Sequence, residues 1–162
     1  MADLTHVDGK GRVRMVDVSD KPATRRSAVA QAVVHMNADT FQKIAAGTVS
    51  KGNVLETARI AGVMAAKKTA DLIPMCHPLN LTHVQVDFFS DAADHTIRIE
   101  ATARIVDQTG IEMEALTAVS VAALTLYDMC KAIDKSMTIT DICLLEKTGG
   151  KSGPFQRQDR RP

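Results

Sequence analysis

Gly110–Lys135, GIEMEALTAVSVAALTLYDMCKAIDK, is the stretch from which the rest of the chain is read. Between Ala115 and Cys130 it holds one charged residue, Asp128. With successive residues turned by about 100°, Leu116, Val119, Ala123, Leu126, Cys130 and Ile133 share one apolar face, the pattern of a core helix. The far side carries Ala118, Val121, Ala122, Leu124 and Thr125, then Thr117, Asp128 and Lys131, with Glu112 and Glu114 at its start. A helix so apolar around its circumference is expected to be covered on both sides, the second by another subunit. Asp128 then needs a reason, because a carboxylate taken from water costs several kcal/mol unless it is paired. Lys131 stands three residues on, within i,i+3 reach. The pair reads either as a structural ion pair or an exposed helix end, or as an acid–base pair in a cleft between subunits, where burial and a partner shift pKa values.

Before this helix, Thr96–Val106 sets Ile97, Ile99, Ala101, Ala103 and Ile105 against Thr96, Arg98, Glu100, Thr102 and Arg104, the period of a half-buried strand. Thr82–Phe89 alternates likewise, and Ser90–His95 joins the two as a hairpin. Ser27–Met36 reads as a first strand and Met137–Lys147 as a last one. Asn37 is placed to cap a helix over Ala38–Ala46 that stops at Gly47. Asn53 and Glu56 have capping-box spacing for a helix to about Ala70. Its Ala58, Ala61, Gly62, Ala65 and Ala66 make a small-residue surface, and Gly62, which costs about 1 kcal/mol in mid-helix, implies close packing. The order is a split β-α-β-β-α-β arrangement with one extra helix. That is an α+β fold: a ferredoxin-like four-stranded antiparallel sheet with helices packed on one face. The expected organisation is a flexible N-terminal segment over 1–27, one domain over 28–150 and a flexible C-terminal tail over 151–162.

Composition narrows the function classes. A chain of 162 residues with 45% hydrophobic and 24% charged content suits one soluble domain. No uninterrupted apolar run reads as long enough to cross a bilayer, and MADLTHVDGKGR lacks a signal-peptide hydrophobic region, so a cytoplasmic protein without a membrane partner is expected. The net charge of +1 gives no overall attraction to nucleic acid, and five aromatic residues are too few for base-stacking platforms. Cys76, Cys130 and Cys143 lack metal-site spacing, so neither a metal site nor a disulfide framework is expected; Cys130 and Cys143 read as core.

LIPMCHPLNL holds two prolines that fix the path of Met75, Cys76 and His77, either a rigid ligand-facing segment or a stiff connector. GGKSG follows a strand, but the glycine a phosphate-binding P-loop needs five residues before Gly150 is Leu145, and Ser152-Gly153-Pro154 starts no helix. What remains is an anion nest of backbone N–H groups flanked by Lys147 and Lys151, or a solvated turn. Lys51, Lys67, Lys68, Lys131, Lys147 and Lys151 would hold a polyphosphate if they converge, with Glu112, Glu114 and Asp128 left for proton transfer.

KGNVLETARIAGVMAAKKTADLIPMCHPL, the Gly110–Lys135 helix, LLEKTGGKSG and the initial LTHVDGKGRVRMVDVSDK together resemble the molybdenum cofactor biosynthesis protein C (MoaC) family over nearly the whole chain. The resemblance implies a ferredoxin-like fold assembled as a homohexamer, a trimer of dimers, with active sites at subunit interfaces. It implies conversion of a 3′,8-cyclised dihydroguanosine triphosphate to cyclic pyranopterin monophosphate with release of pyrophosphate. By motif match, Asp128, Lys131 and Lys51 are catalytic. Met75, Cys76, His77, Met113 and Glu114 bind substrate, with Arg26, Lys67, Glu112 and Lys147 as helpers. No resident cofactor is implied, although magnesium can travel with the triphosphate. The rival readings are a nucleotide-binding regulatory module and a purely structural oligomer.

Overall fold

The computed structural model describes residues 10–158. Strand β1 is Thr24–His35, and Ala28, Ala30, Ala32 and Val34, on one face of it, are fully buried. It starts three residues before the expected Ser27, inside the segment read as a flexible N-terminus; residues 1–9 of that segment and 159–162 of the tail lie outside the described residues. Helix α1 is Ala38–Ala45, capped by Asn37, whose side chain accepts from the Thr40 N–H at 2.8 Å. Helix α2, Val54–Ala66, is capped by Asn53 accepting from the Glu56 N–H at 3.1 Å. The reciprocal half of the capping box is absent, because the Glu56 carboxylate pairs with Arg59 instead (3.1 Å). α2 stops short of Ala70, and a separate turn, α3 (Thr69–Leu72), follows.

The hairpin forms as read, with β2 at His83–Asp91 and β3 at Thr96–Asp107. On β3, Ile97, Ile99, Ala101, Ala103 and Ile105 are all at most 2% exposed, as the alternation requires. Helix α4 is Glu112–Cys130, shorter at both ends than the apolar stretch suggests. Its C-terminal limit is set by Asp134, which accepts from the Ser136 N–H (2.9 Å) and hydroxyl (2.6 Å) and from the Asn37 N–H (2.9 Å). That turn carries the chain into β4, Thr138–Thr148.

The sheet order is β2-β3-β1-β4, all neighbours antiparallel, the order of a ferredoxin-like sheet, with one addition. β5, Phe155–Gln156, pairs with Lys147 and Glu146 on the free edge of β4, and the Arg157 N–H donates to the Leu145 carbonyl at 2.7 Å. The tail's low apolar content did not suggest a strand, but edge pairing uses main-chain groups and needs no apolar side chains. β4 itself is irregular. Its register with β1 shifts twice, and Asp141 sits there at φ +52°.

α4 lies over β1, β3 and β4, with α2 beside it over β2. A Cβ on Gly62 would stand 3.0 Å from the Ala118 carbonyl oxygen and 3.3 Å from the Ala122 Cβ. The small-residue surface of α2 is therefore where α4 crosses it. Lys51, just before α2, reaches Asp128 near the end of α4, so the two helices run antiparallel. By length and composition α4 is able to span a bilayer, which the sequence reading did not see, yet its Ala115, Ala118, Val119, Ala122, Ala123 and Leu126 are wholly buried inside the domain. Among the described residues the expected second cover is not found: Leu124 is 58% exposed.

Candidate functional site

A cavity of about 710 Å³ opens at the N-terminal end of α4. Pro74 breaks the path after α3, the Cys76 N–H closes a turn on the Ile73 carbonyl (3.0 Å), and Met75, Cys76 and His77 run half-buried along one wall. Arg26 enters from β1, and its guanidinium donates to the carbonyls of Asp107 (3.0 Å) and Gln108 (2.9 Å), which hold it beside the end of β3. Glu112, Met113 and Glu114 come from the first turn of α4. The turn after β4 supplies Lys147, Gly150, Lys151 and Ser152. Gly149 and Gly150 are both left-handed, at φ +84° and +81°, and no helix follows, in keeping with rejection of a P-loop. Side chains at either position would run into Arg25 and Arg26, so glycine is what lets this turn close on the arginine. From the other side the chain around Val16, Val18 and Lys21 passes over the cavity, and His77 Nε2–H donates to the Val16 carbonyl at 3.0 Å.

The two carboxyls of α4 differ in state. Burial pushes Glu112 up, but the hydrogen bond and charge of Lys147 (2.8 Å) and helix N-terminal N–H groups outweigh it, so its pKa falls below the ordinary value. Glu114 is 3% exposed, and among the described residues no cation pairs with it. Burial dominates there, Glu112 adds repulsion, and its pKa rises to about 7. Burial, and secondarily the Glu114 charge, also raise the Cys76 thiol. A carboxyl that is half-protonated near neutrality can give or take a proton. Thr24 also lines the cavity, and among the described residues its buried hydroxyl has no hydrogen-bond partner.

A second cluster stands at the far end of α4. Asp128 bonds Lys131 Nζ at 2.6 Å and Lys51 Nζ at 3.2 Å, and Lys51 also donates to the Asp128 carbonyl at 2.8 Å. The buried carboxylate expected here is not buried within the chain: its side chain is 56% exposed. Hydrogen bonds from Lys131 and then Lys51 lower its pKa, and the same contact raises that of Lys131. Asp128 follows Glu112 by 16 helical residues, about 24 Å along the axis. One chain therefore does not bring its own two clusters together.

A sequence model of the MoaC family matches residues 15–150. The chain belongs to the MoaC family. A cyclic pyranopterin monophosphate synthase of Desulforapulum autotrophicum is 66% identical, over 96% of this chain and 95% of the relative. Those of Desulfatibacillum aliphaticivorans and Heliobacterium modesticaldum are 64% and 58% identical, over 96% and 98% of this chain and 98% and 100% of the relatives.

Of the residues that the MoaC resemblance singled out, Arg26, Met75, Cys76, His77, Glu112, Met113, Glu114 and Lys147 meet at the cavity. Lys51, Asp128 and Lys131 form the separate far cluster. Lys67 is the exposed C-cap of α2, at the same end of the helix layer as the cavity but outside its lining. The six lysines thus divide between the two ends of the helices instead of converging within one chain. The cavity also uses Lys21, Thr24 and Gln108, which the sequence reading passed over. Lys21 and its neighbours lie in a polar, irregular stretch whose only inward signal is the alternation of Val16 and Val18.

Proposed function

We propose that this chain catalyses the reaction for which its relatives are named, converting 3′,8-cyclo-7,8-dihydroguanosine 5′-triphosphate to cyclic pyranopterin monophosphate with release of pyrophosphate. The observation that carries the reading is the cavity itself, where a carboxyl with a pKa of about 7 faces a rim of Arg26, Lys21, Lys147 and Lys151. The basic rim suits a triphosphate and offsets charge on the departing pyrophosphate. Met75, Cys76, His77 and Met113 form the wall for the ring system, and Glu112 sets the position of Lys147 (2.8 Å). Lys67 serves the outer phosphates. Ring opening and reclosure need protons moved to and from nitrogen, carbon and oxygen, which is work for Glu114 and for Asp128 with its two lysines.

In this reading each active site is shared. Asp128, Lys131 and Lys51 of one subunit complete the cavity of another, within a homohexamer built as a trimer of dimers in the cytoplasm. The exposure of Asp128 and its axial distance from the cavity support sharing. Covered by a second subunit, Asp128 would lose water and its pKa would move back up toward a value useful in proton transfer. Magnesium enters, if at all, with the triphosphate as part of the substrate.

The test is pyrophosphate release from the cyclised triphosphate by wild type and Asp128→Asn. The variant should fold and assemble as the parent does and yield no product. Normal turnover by Asp128→Asn would remove its assigned role, and substrate binding by the wild type without pyrophosphate release would point to a regulatory module instead.

A further inference from the structure

The basic turn of the cavity is held from a place outside it. Lys147 Nζ donates to the Glu112 carboxylate and to the Ser152 hydroxyl, both at 2.8 Å, so the position of this lysine depends on where the 149–153 turn lies. Gly149, Gly150 and Gly153 in that turn are left-handed, at φ +84°, +81° and +72°. A turn so rich in glycine gives up much backbone freedom when it is fixed. One end of it is secured by β1, where Ala28 and Ser27 pair with Lys147 and Thr148. The other end is secured by β5, in which Phe155 pairs with Lys147 and Gln156 with Glu146. Two residues of edge strand are not stable by themselves. Arg157 supplies the anchor. Its backbone N–H donates to the Leu145 carbonyl at 2.7 Å and its side-chain Nε–H to the Leu144 carbonyl at 2.9 Å, so one residue engages two successive carbonyls of β4. Arg157 is half-buried and does not line the cavity.

We infer that Arg157 is a positioning residue for the substrate: it clips β5 to β4 and so holds the 149–153 turn, with Lys147, Lys151 and Ser152, in the arrangement that takes the triphosphate end. The inference rests on the triphosphate reading above and adds the residue that keeps the basic turn in place. Without the clip the turn is tied at one end, and a ligand must order its glycines and lysines as it binds. Ordering two lysine side chains on binding weakens affinity by roughly tenfold. The groups given proton-transfer roles are untouched, since Glu114 and Asp128 belong to α4. The loss therefore falls on KM and not on kcat.

Arg157→Gln and Arg157→Leu separate this role from a charge effect. The glutamine amide nitrogen stands where the arginine Nε does and keeps a donor for Leu144 without the charge, whereas leucine has no donor. Two readouts use a ligand: calorimetric titration with inorganic tripolyphosphate at fixed ionic strength, and pyrophosphate release from the cyclised triphosphate. A third, hydrogen exchange of the peptide over 148–154, uses none. Arg157→Leu should bind tripolyphosphate roughly tenfold more weakly and raise KM to the same extent at unchanged kcat. It should also exchange faster in that peptide, while the β1 and β3 peptides keep wild-type protection. Arg157→Gln should match the wild type in all three. Equal losses in both variants would mean that Arg157 acts by charge, and faster exchange throughout Arg157→Leu would reduce its role to general stability. Either result overturns the inference, as does an Arg157→Leu protein with wild-type binding. A wild type that binds no tripolyphosphate removes both this inference and the reading beneath it. One that binds it but releases no pyrophosphate removes the proposed reaction alone, and the binding and exchange of the two variants then decide the clip.

Discussion

Glu114→Gln tests the state of the cavity most directly. In the folded chain the Glu114 pKa is raised from 4.5 to about 7, chiefly because the carboxyl is buried. Between those two values the native state keeps a proton that the unfolded state gives up. Stability therefore falls as pH rises through that window, and the loss is complete above about pH 7. The size follows from about 2.5 pH units at about 1.4 kcal/mol each, so roughly 3 kcal/mol. Glutamine has nearly the same shape as the protonated acid and does not titrate. Below pH 4.5 the variant and parent should have similar stability. At pH 8 the variant should be the more stable by about 3 kcal/mol, or roughly 6–12 °C in Tm for a domain of this size. Urea unfolding of both proteins from pH 4 to pH 8.5, at one fixed protein concentration, reads this out. The difference between the two curves cancels every other titrating group. Cys76 supplies a second readout. Burial keeps its thiol pKa high and the Glu114 charge adds to it, so alkylation of the Cys76 peptide near pH 8.5 should be faster in Glu114→Gln. A difference in stability that stays flat with pH, or that favours the parent at pH 8, would mean that Glu114 is ionised and paired, and the proton-transfer role given to it would fall.

Gly62→Leu should lower Tm by several degrees, because even a Cβ there stands 3.0 Å from the Ala118 carbonyl; for Gly62→Ala a helix-propensity gain of about 1 kcal/mol works against overpacking of about 1–3 kcal/mol, so that variant should lie between wild type and Gly62→Leu in a thermal melt. Asp134→Ala leaves the Asn37 and Ser136 N–H groups without their acceptor, at about 0.5–1.5 kcal/mol for each part-buried hydrogen bond lost. Hydrogen bonds from Ser136 and Asn37 hold the Asp134 pKa low, so its stabilisation is present above about pH 4 and lost as pH falls through the lowered value; denaturant midpoints should show a smaller deficit of the variant at pH 3 than at pH 7. Asp141→Gly should raise stability by about 0.5–1 kcal/mol by removing a left-handed non-glycine residue from the β4 irregularity at φ +52°, and a melt of the single variant reads it.

Where the sequence carried a period or a cap, the fold was legible in it. The alternation in Thr96–Val106, the Asn37 and Asn53 caps and the mid-helix Gly62 each correspond to a feature of the structure. Ends and edges were less legible. β5 pairs through main-chain groups that carry no side-chain signature, and Asp134, in Asp-x-Ser, turns the chain with hydrogen bonds that a hydropathy pattern does not register. For the site, motif resemblance collected residues without their spatial grouping. Asp128 was read as buried because the helix around it is apolar, but α4 turns that residue outward, between Lys51 and Lys131. The division of the site follows from α2 and α4 being antiparallel, a relation held in tertiary packing at Gly62 and not in any local pattern.

The chemistry at both ends of α4 also agrees with the helix dipole. Glu112 and Glu114 occupy its positive end and Lys131 its negative end, so the placement of charges stabilises the helix that separates them. Glu114 is the revealing case. The dipole and its own backbone hydrogen bond favour the ionised form, yet burial prevails and the carboxyl titrates near 7. Its protonation is thus left open to whatever enters the cavity. A triphosphate held by Arg26 and Lys147, as proposed, would add negative charge and drive Glu114 toward the neutral acid, a proton donor. Departure of that charge with the pyrophosphate would favour the carboxylate, a proton acceptor. A group set midway between its two states would change role as the bound molecule loses its pyrophosphate.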